Sequence, residues 1–310
     1  MNILVTGAAG FTGRALVKAL RRQEPGAKIV GLGPRPAAPP LPPQVQWVSG
    51  TASDSAIVAQ AIRKYEISHV AHLARGARSG NDEEVIGSHV GLLLGLLRGV
   101  ADSGTKARVL ALGSAAEYGL VPASQLPLRE DRPLNPASVY GMAKVAETTL
   151  ALLAPEALGV DVTVARIFNP IGEGQGPSFV CGKLAAHFAA AKYWGAKRPL
   201  EMGSLSPMRD FIDVRDVAEA LVGLLQKGLR GEVYNVGSGV GTTISEILEH
   251  FREISGLDIS APAESIPDRD ASIHSVASIS KIQALTGWNH RIAIRDSIDS
   301  MYRFALAPNA

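Results

Sequence analysis

The sequence is poor in cysteine, in excess charge and in long apolar runs. It holds one cysteine in 310 residues, Cys181, so an internal disulfide is excluded and a reducing compartment is expected. The formal net charge of +2 is too small to indicate binding to nucleic acid or to a membrane surface. The longest apolar run, residues 90–97, ends at Arg98 and is too short to span a bilayer. What remains is an ordinary globular composition, 46% hydrophobic and 19% charged.

The chain opens with the pattern of a strand, a glycine-rich turn and a helix. Residues 2–13 read NILVTGAAGFTG, and the first four are predicted to form a buried strand. Glycines let the backbone approach a pyrophosphate, and the N-terminus of the following helix offers free N–H groups and a positive dipole end. The pattern therefore predicts a dinucleotide site rather than an ordinary tight turn. Because a strand already occupies residue 2, no signal peptide is expected and a cytoplasmic location is predicted.

Strands and helices alternate along the first half of the chain. The predicted strands are 2–5, 28–32, 45–48, 68–73, 108–112 and 160–165, and the predicted helices between them include 53–64, 84–102 and 140–153. This alternation predicts an α/β fold, a Rossmann-type doubly wound parallel sheet with ligands at the carboxyl ends of its strands. Residues 33–44 contain six prolines and are expected to form an extended surface loop.

The pattern changes after residue 168. A glycine-rich loop precedes predicted helices at 179–194, 214–226 and 244–255 and a strand at 233–236. We therefore expect a smaller C-terminal substrate-binding lobe. The predicted domains are residues 1–168, to which 210–236 return, and a lobe formed by 169–209 and 237–310.

Tyr140 and Lys144 are four residues apart, which places them on one face of a helix. A nearby cation stabilises a phenolate, so that such a tyrosine can exchange a proton with an alcohol or a ketone. Ser114 lies just after the fifth predicted strand, at its carboxyl end, where its hydroxyl would point into the crevice and bind the same oxygen. Each of these features alone is also typical of solvated helix faces and ordinary turns.

Together these motifs resemble the extended short-chain dehydrogenase/reductase family of nucleotide-sugar epimerases, dehydratases and reductases. The resemblance covers nearly the whole chain, since it includes ARIFNPIG at 165–172, PMRDFIDVRDVAEAL at 207–221, VYNVGSG at 233–239 and TGW at 286–288. Among the subgroups, the chain is most similar to reductases of GDP-4-keto-6-deoxymannose, although 4-epimerases share most of the same residues.

The resemblance implies a role for each matching residue. Tyr140 becomes the acid/base, Lys144 the group that assists it and grips the ribose, and Ser114 the partner of the substrate oxygen. The residues implied around the cofactor are Thr6, Gly7, Gly10, Phe11, Thr12, Gly13, Arg35, Leu73, Ala74, Tyr140, Lys144 and Ile167. Those implied around the substrate are Ser114, Glu117, Asn169, Arg209 and Arg269. Arg209 suits contact with a diphosphate, because a planar guanidinium can bind phosphate oxygens in a bidentate manner. The resemblance implies no metal ion.

Departures from the family pattern narrow the function. The family's 4,6-dehydratases carry an acid two residues before the tyrosine of the strand-five motif, where this chain has Ala116. Glu117 lies one residue later, which on a strand is the opposite face, so the dehydratase interpretation weakens. Arg269 is one place from the usual second phosphate-binding arginine, which is either shifted or missing.

The cofactor site departs from the pattern as well. NAD-dependent members end the second strand with an acid that binds the ribose 2′-hydroxyl, but here that position is Gly33, with Arg35 two residues later. This favours NADP over NAD, because an arginine can bind the 2′-phosphate; an arginine facing solvent is the alternative. Arg75 and His89 replace an alanine and an asparagine, and both pocket-shaping and packing roles remain open for them.

We therefore expect an NAD(P)-dependent enzyme that acts on a nucleotide-activated sugar, as a 4-ketoreductase or, alternatively, a 4-epimerase that retains its cofactor. A protein that binds NADP without catalysis is a third hypothesis, and the presence of Ser114, Tyr140 and Lys144 argues against it. By family analogy, the helices 84–102 and 140–153 are expected to form a homodimer interface. Nucleic acid and membrane partners are not expected.

Overall fold

The structure is a computed structural model that describes residues 1–34, 41–42, 44–77, 80–195, 200, 202, 204–260 and 274–307. Its strands are β1 Asn2–Thr6, β2 Lys28–Gly33, β3 Val45–Ser49, β4 His69–His72, β5 Arg108–Ser114, β6 Val162–Ile167, β7 Asn169–Ile171, β8 Met208–Asp213, β9 Val233–Val236 and β10 Gly241–Thr243. Its α-helices are α1 Phe11–Gln23, α2 Ser55–Lys64, α3 Asp82–Asp102, α4 Val139–Ala157, α5 Val180–Trp194, α6 Val214–Lys227, α7 Ile244–Ser255, α8 Ser280–Thr286 and α9 Ile294–Leu306.

The large sheet is parallel and runs in the order β3-β2-β1-β4-β5-β6-β9. The chain moves outward from β1 to β3 and then returns to the other side of β1 with β4. This reversal creates a crevice outside the carboxyl ends of β1 and β4, which is where doubly wound sheets bind ligands. The predicted Rossmann-type fold class is confirmed.

Helices cover both faces of this sheet, as its strands require. All six residues of β6 are buried, which is typical of a parallel strand covered on both sides. One apolar core lies under α1 and α6, and a second lies under α2, α3 and α4. The sheet is therefore held rigidly beneath the crevice.

A smaller sheet has the strand order β10-β8-β7. Its neighbouring core is formed by α5, α7 and α9, with Phe188 stacked on Phe251 at a ring-centroid distance of 5.4 Å. The chain returns to the large sheet through α6 and β9, whereas β8, at the start of the expected return, belongs to the small sheet. The division of the chain into two domains stays a prediction.

Two short strands and two helices were not expected from the sequence. β7 and β10 have three residues each, too few to show a period, and α8 and α9 follow the stretch 261–273, which lies outside the described residues. The proline-rich loop also lies mostly outside them.

In the described part of the chain, α3 alone is long and apolar enough to cross a membrane, with a mean hydropathy of 1.4 over 18 residues. A core helix passes the same test, and α3 packs on α2 and α4.

Candidate active site

A pocket of about 1210 Å³ lies at the carboxyl ends of β1, β4, β5 and β6. It is lined by the glycine turn after β1 on one side and by the start of α4 on another. The lining residues that the sequence predicted are Gly7, Gly10, Phe11, Thr12, Gly13, Leu73, Ala74, Ser114, Tyr140, Lys144, Ile167, Asn169 and Arg209. The topology thus brings together groups that lie far apart in the chain.

The glycine turn is packed too tightly for side chains at two positions. Gly7 has φ of +69°, and a Cβ there would lie 2.7 Å from the backbone nitrogen of Ala74. A Cβ at Gly13 would lie 2.2 Å from the carbonyl oxygen of Gly7. The helix α1 begins directly after this turn, without a side-chain cap at Gly10 and without an acidic residue in its first turn. Its first N–H groups are therefore not capped by a side chain and meet no nearby acid in the helix, and such a turn beside the pocket fits the pyrophosphate of a dinucleotide.

Thr6 lies behind the pocket and fastens two strands to one another. Its hydroxyl accepts the backbone N–H of Ala74 at 3.1 Å and bonds to Nδ1 of His72 at 2.9 Å. Burial lowers the pKa of His72 to about 4, so this imidazole is neutral near pH 7. The structure does not bring the predicted Thr6 side chain to the pocket; it shapes the pocket wall at Ala74 instead.

Ser114 stands at the end of β5 and lines the pocket. Its hydroxyl oxygen accepts the N–H of Ala116 at 3.2 Å, which leaves the hydroxyl proton to be donated elsewhere. Residues 115–118 form a 3-10 turn rather than continuing the strand. Ser114 is therefore both a cap for this turn and a donor facing the pocket.

Glu117 does not reach the pocket, contrary to its prediction as a substrate-binding residue. Its side chain is fully buried, with Oε1 accepting the N–H of Ser114 at 2.6 Å and Oε2 accepting Nε of Arg166 at 2.9 Å. Glu117 is the third residue of the 3-10 turn that Ser114 caps, so its carboxylate reaches back to the N–H of Ser114 instead of lining the pocket. Burial lowers the pKa of Arg166, but the charges and hydrogen bonds of Glu117 and Tyr118 together outweigh it and raise that pKa. Burial also raises the pKa of the Glu117 carboxyl. Glu117 therefore holds the backbone of Ser114 in place from the side away from the pocket.

Tyr140 and Lys144 are both supplied by the first turns of α4. Ser138 begins this helix by accepting the N–H of Gly141 at 3.1 Å, which places Tyr140 in the first turn, beside the pocket. The ammonium of Lys144 donates to the carbonyl of Leu112 at the end of β5. The predicted pair and Ser114 consequently line the same pocket.

On the substrate side, Asn169 and Arg209 line the pocket as predicted. The amide of Asn169 donates to the carbonyl of Asp210 at 2.9 Å, which fixes its side-chain oxygen. Arg209 lies in β8, paired with Thr242 of β10. The predicted Arg35 and Arg269 lie outside the described residues.

Sequence reasoning missed a buried carboxylate beside the lysine. Glu147 lies one helical turn after Lys144, and its Oε2 is 2.5 Å from the ammonium and 3.1 Å from Nδ1 of His89. The spacing of three residues on one helix face was a signal for the first contact. Nothing in the sequence connects Glu147 to His89, 58 residues away on α3.

Comparison with known proteins agrees with this geometry. Residues 3–237 match the NAD dependent epimerase/dehydratase family. The chain belongs to this family. The cofactor prediction of NAD or NADP is thereby confirmed at the level of the family, as is the prediction of a nucleotide-sugar enzyme.

Two relatives and one solved structure illustrate the likeness. The chain is 28% identical to dTDP-6-deoxy-L-talose 4-dehydrogenase (NAD(P)(+)) of Kitasatospora kifunensis over 97% of this chain and 94% of that protein. It is 34% identical to GDP-6-deoxy-D-mannose reductase of Pseudomonas aeruginosa over 66% of this chain and 68% of that protein. The structure of RMD from Pseudomonas aeruginosa complexed with NADPH superposes with a TM-score of 0.82 at 26% identity, covering 98% of both chains.

Proposed function

We propose that this protein is an NAD(P)-dependent 4-ketoreductase of a nucleotide-activated 6-deoxyhexose, similar to reductases of GDP-4-keto-6-deoxymannose. One observation carries the proposal: Ser114, Tyr140 and Lys144 line a single pocket together with the glycine turn. Oxidoreduction of a sugar carbonyl needs these groups beside a nicotinamide. The full-length likeness to a 4-dehydrogenase and the partial likeness to a reductase support the same reaction class.

Each residue has a task that its position supports. Bound NAD(P)H would supply the hydride. Tyr140 gives a proton to the carbonyl oxygen, Ser114 donates a hydrogen bond to the same oxygen, and Lys144 holds its positive charge near the phenol. Asn169 and Arg209 bind the diphosphate of the substrate from the opposite wall.

A dehydratase is disfavoured by the pocket wall itself. Ala116 lines the pocket where an acid would be needed to remove a proton from the sugar ring, and the nearby Glu117 is buried against Arg166. A 4-epimerase uses the same Ser, Tyr and Lys in both directions, so it is separated from a reductase by its cofactor behaviour.

The deciding experiment mixes the purified protein with GDP-4-keto-6-deoxymannose and either NADPH or NADH, and follows the absorbance of the reduced nicotinamide. A reductase consumes the reduced cofactor stoichiometrically. An epimerase interconverts NDP-hexoses without added cofactor. If several NDP-keto-sugars leave the cofactor unoxidised, the reductase proposal is wrong.

We further propose a cytoplasmic homodimer formed through α3 and α4. The α4 surface exposes Met142, Leu152 and Leu153, with exposed fractions of 51%, 38% and 57%. Apolar side chains grouped on one helix surface are typical of subunit contacts. Light scattering should give twice the mass of the chain for the wild type, and Leu153→Glu should shift it towards the monomer.

A further inference from the structure

Lys144 is held between the pocket and a buried carboxylate. Its side chain is 9% exposed, and that of Glu147 is 5% exposed, so their ion pair lies almost entirely out of water. The pair is formed within α4 by residues three apart, and Leu112 accepts a further hydrogen bond from the same ammonium. Because Lys144 also lines the pocket, its charge acts both on Glu147 and on groups inside the pocket.

His89 holds the carboxylate in place from the neighbouring helix α3. Its fully buried Nδ1 lies 3.1 Å from the same Oε2 that Lys144 contacts. Burial alone would raise the pKa of Glu147, but the hydrogen bond from His89 and the charge of Lys144 together lower it. Glu147 is therefore ionised, and because a carboxylate only accepts hydrogen bonds, Nδ1 of His89 carries a proton.

The same imidazole contacts the predicted catalytic phenol. The rings of His89 and Tyr140 meet edge to face, with centroids 5.7 Å apart. Tyr140, Lys144, Glu147 and His89 thus form one connected cluster. Charges inside such a buried cluster interact strongly because little water screens them.

Two further titratable groups lie near this cluster, His72 and Glu117. His72, on β4, is neutral because burial lowers its pKa to about 4. Glu117, in the turn after β5, is paired with Arg166 rather than with Lys144; burial raises the pKa of its carboxyl, and the charge of Arg166 opposes that rise. Glu147 is therefore the anion in contact with Lys144, and it opposes the field that the ammonium exerts on the phenol.

We propose that Glu147 is the counter-ion that sets the pH at which Tyr140 exchanges its proton, and that His89 is the positioning residue that holds Glu147 against Lys144. The catalytic part of this inference rests on the proposed function. Its physical part, the ionisation of Tyr140, does not depend on which sugar is bound. Without the carboxylate, the phenolate becomes the remaining anionic partner of the ammonium and is favoured.

The test is a titration of the Tyr140 phenol by tyrosinate absorbance, taken as the difference between each protein and the same protein carrying Tyr140→Phe. In Glu147→Gln, which keeps the size of the side chain, the midpoint should fall on the order of one pH unit below that of the wild type. The alkaline loss of reductase rate should move in the same direction. His89→Asn should give a smaller shift of the same sign, and adding it to Glu147→Gln should give no further shift.

Asp216→Asn is the matched control. This buried carboxylate accepts N–H bonds from Arg291 and Ile292 outside the pocket, so its loss should cost stability without moving the titration. An unchanged or raised midpoint in folded Glu147→Gln overturns the inference. If that variant does not fold, an unchanged midpoint in His89→Asn overturns it equally. A wild type that turns over no nucleotide sugar contradicts the proposed function but leaves the phenol titration readable.

Discussion

Glu117 and Arg166 form an ion pair with almost no contact with solvent, their side chains 0% and 2% exposed and their charged atoms 2.8 Å apart. The guanidinium also donates to the hydroxyl of Tyr118 at 2.9 Å, and that hydroxyl in turn donates to Asn235. A chain of polar groups thus connects the turn that carries Ser114 to β6 and β9. The pair fixes the position of Ser114 from below the pocket.

Replacing one member of this pair should lower the free energy of unfolding more than replacing both. Glu117→Leu leaves the Arg166 guanidinium buried without its counter-ion, which is expected to lower the free energy of unfolding by about 3–5 kcal/mol. The double variant Glu117→Leu, Arg166→Met should recover part of that loss, because no charge stays buried. Urea unfolding of both variants measures this. A double variant no more stable than Glu117→Leu alone would contradict the prediction.

Tyr140→Phe should abolish most of the activity while leaving the cofactor site intact. Loss of the proton donor is expected to lower the rate by on the order of 10²-fold or more. Steady-state kinetics and NAD(P)H binding by fluorescence measure the two effects separately. Tyr193→Phe, at an exposed position on α5, is the control and should keep full activity. If Tyr140→Phe retained the physiological activity, the protein would not act by the proposed mechanism.

Gly13→Ala should disturb the turn that faces the cofactor. The added Cβ would lie 2.2 Å from the Gly7 oxygen and 2.7 Å from Cα of Ala8, and backbone atoms cannot move aside without moving the turn. We expect a loss of about 1–3 kcal/mol in the free energy of unfolding and weaker NAD(P)H binding. Gly26→Ala is the matched control, since no heavy atom outside the adjoining residues would lie within 4 Å of its Cβ. Equal affinities in the two variants would refute the tight packing of the turn.

Protonation of His72 should make the protein less stable in acid. Its pKa is lowered to about 4 by burial, against an ordinary value of 6.5, so the unfolded chain binds this proton first as the pH falls. Its contribution to stability is therefore intact above pH 6.5 and is lost between about 6.5 and 4, by about 2 kcal/mol at pH 5. Urea unfolding at pH 7.5 and 5 should show a smaller acid loss in His72→Gln than in the wild type.

Arg35→Ala should weaken the binding of NADPH and leave the binding of NADH unchanged. If its guanidinium binds the 2′-phosphate, the variant loses about tenfold in NADPH affinity, equivalent to about 1.4 kcal/mol, and nothing in NADH affinity. Fluorescence titrations with both cofactors measure this, with Arg63→Ala on α2 as the control. Equal losses for the two cofactors would assign Arg35 a role other than cofactor discrimination.

Local patterns predicted most of the large sheet and the core of the pocket. The strand β9 and the helix α7 begin and end where the sequence predicted, because their apolar residues are periodic and their ends are marked by turn or capping residues. Gly7, Ser114 and Tyr140 could be predicted to meet, since the carboxyl ends of neighbouring parallel strands share one edge.

The remainder depends on contacts between distant segments. The position of Glu117 was predicted wrongly because the sequence does not show that β5 ends in a 3-10 turn, in which Ser114 and Glu117 form a capping box. The contact of His89 with Glu147 joins α3 to α4, and only the packing of those helices creates it. A buried polar pair of this kind has no periodic signature in either helix.

Because Cys181 is the single cysteine of the chain, its alkylation can report how often the structure around it opens. Cys181 is fully buried in the core formed by α5, α7 and α9, and burial raises the pKa of its thiol to about 12, so the native protein offers no thiolate to alkylating reagents. A reagent can reach this thiol only when the structure around it opens, either within the core or towards the pocket that Cys181 borders. Pulsed alkylation followed by intact mass would therefore report, from the labelled fraction and without any engineered label, how often the region around Cys181 opens. The same measurement with a nucleotide sugar present would show how far that ligand keeps the region closed.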